Sequence, residues 1–120
     1  METKRKILVV DDNLDTVAFL KFALEDTFTV IGAYNGKDAL RICQDDSDID
    51  VILMDGEMPI MNGFEAAKAI KEIRPSFPII CIATDGISSR YEKCFVNCLK
   101  KPFSLPDQLM PLIEGIIKKS

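Results

Sequence analysis

The 120-residue sequence contains no histidine, and no run of apolar residues approaches the roughly 20 needed to cross a membrane. Without histidine, a zinc site would require Cys43, Cys81, Cys94 and Cys98 to converge. These cysteines lie in or beside apolar runs, and no signal-peptide-like segment precedes them, so we expect reduced, buried thiols rather than a disulfide framework. We therefore predict a cytoplasmic protein that does not bind membranes.

Positive charge is also scarce, because 15 lysines and arginines face 19 acidic residues and leave a net charge of -4. This balance argues against a general affinity for nucleic acid, which depends on cationic side chains that neutralise phosphates. The sequence has no internal repeat, low-complexity tract or linker. Its length and its hydrophobic content of 48% fit one domain with a sizeable core, which we predict to span 1–120.

Apolar runs and helical periodicities alternate along the chain. Runs rich in Val and Ile predict strands at 6–10, 28–33, 51–54, 79–83 and 95–99. Helical spacing predicts helices after the N-caps Asn13 and Ser104, within "NGKDALRICQ", from Phe64 to Ile73, and over a short segment from Ser88 to Cys94. This alternation predicts an α/β, flavodoxin-like doubly wound sheet of five parallel strands in the order 2-1-3-4-5. Helices would cover both faces, and the fourth would be shortened.

Three acidic residues stand where two of these strands end. Asp11 and Asp12 follow the first strand, and Asp55 follows the third. In open α/β sheets ligands bind beyond the carboxyl ends of the strands, so these carboxylates should share one crevice. At about 5 Å and an effective dielectric of about 20, each pair costs about 3 kcal/mol. A crevice that tolerates such repulsion holds a cation or raises a pKa.

Four sequence features at the strand ends resemble the receiver domain of two-component response regulators. They are "VVDDN" after the first strand, "LMDGEMPIMNG" after the third, Thr84 at the end of the fourth, and "LKKPF" after the fifth. The resemblance spans nearly the whole chain. It implies a phosphoacceptor switch that takes a phosphoryl group from a sensor histidine kinase or a phosphotransfer protein. Phosphorylation would then alter binding to a downstream protein or a fused output domain.

The resemblance also implies roles for individual residues. Asp55 would accept the phosphoryl group, and Mg²⁺ would be bound by Asp11, Asp12, Asp55 and the backbone carbonyl of Glu57. Oxygen ligands of this kind suit magnesium, which keeps several waters.

Two further residues would act on the transferred group. Lys101 would place its ammonium against the acceptor and the phosphoryl oxygens, with a cis peptide bond to Pro102. Thr84 would donate its hydroxyl to the phosphoryl group, which would convert the chemical event into a conformational one.

The sequence departs from the receiver pattern at two positions. Three residues before the lysine the family usually has a Tyr or Phe ring that moves with the threonine, but this chain has Cys98. After the threonine the family usually has a small residue, but this chain has Asp85, whose charge should repel phosphoryl oxygens. The segment between Thr84 and Lys101 is also shorter than in most receivers. We therefore expect output through a face other than the usual aromatic switch.

Two other functions stay open at this point. The chain could be a binding module with the receiver fold that phosphorylation does not control, as Cys98 and Asp85 would suggest. It could also be a small phosphatase with Asp55 as nucleophile and Glu57 as general acid, although 120 residues leave little room for a substrate pocket. We expect no enzymatic activity beyond self-catalysed phosphorylation and dephosphorylation. No helix-turn-helix pattern follows the last helix, so the sequence leaves open whether this is a stand-alone regulator or a receiver from a longer protein.

Overall fold

Five parallel strands form the centre of the molecule. The computed structural model describes residues 4–58, 62–85, 87 and 89–119. The strands run in the order β2-β1-β3-β4-β5, which confirms the predicted flavodoxin-like sheet. Their bounds are β1 Lys6–Val10, β2 Thr29–Ala33, β3 Val51–Asp55, β4 Ile79–Ala83 and β5 Asn97–Lys100.

In the described residues, four α-helices cover the two faces of this sheet. They are α1 Leu14–Leu24, α2 Gly36–Asp45, α3 Gly63–Ile73 and α4 Met110–Lys119, and a π-helical turn at Leu105–Leu109 leads into α4. Asn13 and Ser104 act as the predicted N-caps, since their side chains accept hydrogen bonds from backbone N–H groups of the following turns. Over the ranges given above, none of these helices is both long enough and apolar enough to cross a bilayer.

The core lies on both sides of the sheet. Every residue of β3 and β4 is buried, as expected for central parallel strands covered on two faces. One face packs against α1 and α4 and includes Val9, Leu20, Leu53, Ile80 and Ile113. The other packs against α2 and α3 and includes Leu8, Met54, Ala67, Ile70 and Ile79. The alternation of strand residues between these faces fixes which side chains lie near the strand ends.

The shortened fourth helix predicted from Ser88 to Cys94 is present only as a 3₁₀ turn at the end of that range. In the part of the chain that the structure describes, this segment forms only turns and a 3₁₀ turn at Glu92–Cys94. It has too few apolar side chains at helical spacing to bury a helix face. Ser88 itself lies outside the described residues, as does Pro59 of the loop after β3. β5 begins at Asn97 rather than residue 95, because Phe95 packs its ring against Phe64 of α3.

Candidate functional site

Three carboxylates meet at the carboxyl end of the sheet. Asp11 and Asp12 follow β1, and Asp55 is the last residue of β3, the strand next to β1. One carboxylate oxygen from each of them lies within 4.8 Å of the others. Asp55 is 3% exposed and Asp11 is 6% exposed, whereas Asp12 is open to solvent. The two central acids are thus held in the protein interior, with the third at the mouth of the crevice.

Backbone N–H groups orient the two buried carboxylates. The Oδ1 of Asp11 accepts a hydrogen bond from the N–H of Asn13 at 2.9 Å. The Oδ1 of Asp55 accepts one from the N–H of Glu57 at 3.0 Å. Each acid therefore bonds to the start of the loop that follows its own strand, which fixes its side chain at the strand end.

The electrostatics of the crevice favour a bound cation. Burial raises the pKa of Asp11 to about 6, and the charges of Asp55 and Asp12 add to this rise. The N–H of Asn13 and the charge of Lys101 act in the opposite direction. A cluster of carboxylate oxygens at this spacing fits Mg²⁺, a hard ion that prefers oxygen ligands. The donor set therefore suits the metal that the sequence resemblance implied.

Lys101 approaches the same cluster from the end of β5. Its Nζ lies 3.2 Å from the Oδ1 of Asp55, and its peptide bond to Pro102 is cis. Burial lowers the pKa of Lys101, but the charge and hydrogen bond of Asp55, together with the charges of Asp11 and Glu57, leave the pKa above its ordinary value. The lysine therefore stays charged beside the buried carboxylate.

A crevice of about 480 Å³ opens above these groups. Besides the acids and Lys101, its lining includes Thr16 and Leu20 of α1 and Phe103 after β5. A larger groove of about 1010 Å³ lies at the opposite end of the sheet. It is lined by Lys6, the first residue of β1, and by Phe28, which precedes β2. The crevice at the carboxyl ends is the one lined by the three clustered carboxylates.

Thr84, which follows β4, contacts the side chain of Glu57. Its backbone N–H donates a hydrogen bond to the Oε1 of Glu57 at 2.8 Å, and its hydroxyl also bonds to that carboxylate. These two bonds hold the pKa of Glu57 below its ordinary value, so the side chain is ionised at neutral pH. The sequence pointed to Glu57 for its backbone carbonyl and as a second acid, but the contact of its side chain with Thr84 was missed.

The other departures from the receiver pattern have clear positions. Asp85 is exposed and is not part of the group formed by Asp11, Asp12 and Asp55. Cys98 of β5 pairs in register with Cys81 of β4. The aromatic residue expected at position 98 is thus replaced by a thiol that faces another thiol.

An aromatic cluster occupies the space beside the shortened segment. The ring of Phe64 stacks on Tyr91 with centroids 5.4 Å apart and meets Phe95 edge-on at 6.0 Å. A Cβ at Gly56 would lie 2.8 Å from the Phe64 ring, so the glycine after the buried Asp55 lets this ring approach. These long-range contacts were not visible in the sequence.

Comparison with known proteins decides the family. The model of the response regulator receiver domain matches residues 7–114. The chain belongs to this family. Receiver domains are phosphoacceptor switches of two-component signalling rather than enzymes, and they bind Mg²⁺ at an acidic pocket.

Individual relatives agree with this assignment. The transcriptional regulatory protein YdfI of Bacillus subtilis is 48% identical over 82 residues, which cover 66% of this chain and 38% of YdfI. The matched region therefore spans less than half the length of this relative.

Solved receiver structures share the fold. One from Clostridium thermocellum is 30% identical with a TM-score of 0.87, covering 96% of this chain and 95% of that one. TrrA from Thermotoga maritima, solved with Mg²⁺ and BeF, is 27% identical with a TM-score of 0.80, covering 93% of this chain and 98% of TrrA.

Proposed function

We propose that residues 1–120 form one receiver domain that accepts a phosphoryl group on Asp55 from the phosphohistidine of a histidine kinase or a phosphotransfer protein. The observation that carries this proposal is the environment of Asp55. Its carboxylate is almost fully buried at a strand end, 3.2 Å from the ammonium of Lys101 and beside the two other acids. A buried carboxylate with these neighbours is suited to accept a phosphoryl group, because its surroundings can neutralise the negative charge of the phosphoryl oxygens.

Each residue of the site has a separate role in the phosphoryl transfer. An oxygen of Asp55 attacks phosphorus, the P–N bond to the donor histidine breaks, and the imidazole leaves with that electron pair. Such transfers have little covalent assistance and depend on positioning and on neutralisation of the phosphoryl oxygens. Lys101 supplies fixed positive charge, and the bond from the Glu57 N–H orients Asp55.

The acids Asp11, Asp12 and Asp55, with the backbone carbonyl of Glu57, would hold Mg²⁺. The ion would contribute positive charge that neutralises the acceptor and the phosphoryl oxygens. The TrrA structure with Mg²⁺ and BeF supports this assignment, because a protein of the same fold carries both species.

Thr84 connects phosphorylation to conformation in this proposal. Its N–H and hydroxyl are bonded to Glu57, so a phosphoryl group on Asp55 would compete with Glu57 for these donors. Moving Thr84 from one acceptor to the other shifts the end of β4 between two arrangements. A downstream protein or fused domain that binds only one arrangement would then respond to phosphorylation.

The phosphatase alternative is disfavoured by the same contact. A general acid must carry a proton, but both donors of Thr84 point at the Glu57 carboxylate and stabilise its ionised form. An assay of direct phosphorylation distinguishes the proposed switch, which should accept a phosphoryl group, from a binding module that phosphorylation does not control.

The deciding experiment incubates the protein with Mg²⁺ and phosphoramidate, a small compound with the P–N bond of phosphohistidine. Intact mass spectrometry should detect one added phosphoryl group, and a phosphorylated phosphotransfer protein should serve as donor too. Asp55→Asn, which keeps the shape but removes the nucleophilic oxygen, should accept none. Asp26→Asn removes an exposed acid just after α1 and should behave as the parent. Phosphoryl label retained by Asp55→Asn, or none on the parent, contradicts the proposal.

A further inference from the structure

Two cysteines face each other across neighbouring strands below the crevice. Cys81 of β4 and Cys98 of β5 are paired in register, so their side chains lie on the same face of the sheet. Adjacent strands lie about 4.7–4.9 Å apart, which is inside the Cα separation of about 4.4–6.8 Å that disulfides span. The Cα separation of the pair is therefore within the range that a disulfide spans.

The two thiols differ in their access to solvent. Cys81 is 0% exposed, whereas Cys98 is half-buried on the edge strand. Between β4 and β5 the described residues, 84–85, 87 and 89–96, form turns and the 3₁₀ turn at Glu92–Cys94, and they include no α-helix that would cover the start of β5. A dissolved oxidant therefore reaches the thiol of Cys98 before that of Cys81, which is shielded from solvent.

We propose that Cys81 and Cys98 are a reversible oxidation site that forms an intramolecular disulfide with hydrogen peroxide. The sulfur of Cys98, as thiolate, attacks one peroxide oxygen. The O–O bond breaks, hydroxide leaves, and the cysteine becomes a sulfenic acid. The released hydroxide takes the proton of the Cys81 thiol. The Cys81 sulfur then attacks the Cys98 sulfur, so that the S–S bond forms and the S–O bond breaks. This step releases a second hydroxide, which takes up the proton that Cys98 lost to solvent when it became a thiolate. In sum two thiols are oxidised, one peroxide is reduced, and two waters are formed.

The protein environment separates the roles of the two residues. Burial raises the pKa of the Cys81 thiol well above its ordinary value, with Cys98 adding to the effect, so Cys81 stays protonated and unreactive until a sulfenic acid forms beside it. The remaining cysteines have other surroundings, because Cys43 is buried on α2 and Cys94 lies in the 3₁₀ turn. The register pairing thus singles out one cysteine pair.

The position of the pair gives the bond a consequence. Thr84 follows Cys81 by three residues and Lys101 follows Cys98 by three residues, each beyond the end of its own strand. A covalent link between β4 and β5 would fix the strands that carry the two residues acting on the phosphoryl group. This consequence rests on the proposed function, whereas the disulfide itself does not.

The test treats the reduced protein with a few equivalents of hydrogen peroxide and alkylates all remaining thiols after denaturation. Intact mass should show the loss of two hydrogens and of two alkylation sites, both restored by dithiothreitol. Chymotrypsin cleaves after Phe95, which separates Cys94 from Cys98 on different peptides. The linked pair should therefore contain Cys81 and Cys98 and no other cysteine.

Variants establish which thiols react. Cys98→Ser, a change on the half-buried edge strand, should abolish the link, and Cys81→Ala should do the same while Cys98 stops at the sulfenic or a higher acid. Cys43→Ser is the matched control, since it also alters a buried cysteine and should leave the link intact. The proposal is overturned if the parent keeps all four thiols, if the link joins Cys94 or a second chain, or if Cys98 is oxidised further without pairing. It is also overturned if a link persists in the folded Cys98→Ser variant.

Discussion

The Oε1 of Glu57 accepts the backbone N–H of Thr84 at 2.8 Å, and the hydroxyl of the same threonine bonds to this carboxylate. The carboxylate thus offers Thr84 the kind of anionic oxygen that a phosphoryl group on Asp55 would offer. Because Glu57 also lines the crevice, its charge acts on any anion that enters there. We therefore expect Glu57 to oppose phosphorylation of Asp55 in two ways, through its negative charge and through its hydrogen bonds to Thr84.

Glu57→Gln should accelerate phosphorylation by phosphoramidate. Removing this negative charge weakens the repulsion of the incoming phosphoryl oxygens, and because the side chain is exposed to solvent the rate should rise only a few-fold, by roughly two- to fivefold. The amide oxygen also accepts more weakly than a carboxylate and loosens the hold on Thr84. Initial rates measured by phosphate-affinity electrophoresis check this. Glu65→Gln, which alters an exposed acid in the first turn of α3, is the control. A Glu57→Gln rate equal to or below that of the parent would contradict the interpretation.

Lys101→Met should destabilise the metal-free protein. The lysine is the cation 3.2 Å from the carboxylate of Asp55, whose side chain is 4% exposed, and its loss leaves that charge facing two other acids. Removing one member of a buried pair costs several kcal/mol. Since the Lys101 side chain is 36% exposed, solvent screening reduces the expected loss to about 1–2 kcal/mol.

Urea unfolding with and without Mg²⁺ measures this loss. Magnesium should restore much of the stability of Lys101→Met, because the ion replaces the missing positive charge. Lys100→Met is the control, because this neighbouring lysine is exposed on the edge strand and should show little change. The interpretation fails if Lys101→Met is as stable as the parent in metal-free buffer.

The sheet could be predicted from sequence because its signals are local. β3 and β4 are uninterrupted apolar runs that end at polar residues, and parallel topology then places Asp55 beside Asp11 and Asp12. The segment before β5 could not be predicted in the same way. Its conformation depends on the packing of Tyr91 and Phe95 around Phe64, which is distant in sequence. Local helix signals there were weak, and tertiary contacts determined the outcome.

The same division applies to the site. Strand ends locate Asp55 and Lys101 without knowledge of side-chain conformations, and the cis peptide at Lys101–Pro102 agrees with the resemblance to receivers. The contact between Glu57 and Thr84 joins residues 27 positions apart through one rotamer. The spacing of Glu57 from Asp55 signals an acid near the crevice. It does not indicate that the acid reaches the end of β4.

Magnesium should stabilise the protein through the three clustered acids. A ligand at ten times its dissociation constant adds about 1.4 kcal/mol to the free energy of unfolding. Asp12→Asn should lose most of this gain, because Asp12 is the exposed acid at the mouth of the cluster. The variant should also be slightly more stable than the parent without metal, since one source of repulsion is gone. Thermal unfolding across a magnesium titration checks both effects, with Asp26→Asn as control. A full magnesium response in Asp12→Asn would exclude this residue as a ligand.

Gly63 and Gly115 offer a matched pair of substitutions that tests the support behind Asp55. A Cβ at Gly63 would clash with the backbone carbonyl of Asp55 and would lie 2.8 Å from the Cα of Gly56. Both obstacles are backbone atoms at the end of β3, so neither can move aside without displacing Asp55. A Cβ at Gly115 on α4 meets no atom within 4 Å.

Gly63→Ala should therefore lower the free energy of unfolding by about 3 kcal/mol or more and slow phosphorylation of Asp55 in the molecules that remain folded. Gly115→Ala should instead raise it by about 0.5–1 kcal/mol, because alanine is the better helix former. Chemical denaturation gives both free energies of unfolding. Phosphorylation is then measured without denaturant and well below the melting temperature, which separates the effect on Asp55 from global unfolding. If the two variants had equal stability, the close approach of α3 to the end of β3 would not be what positions Asp55.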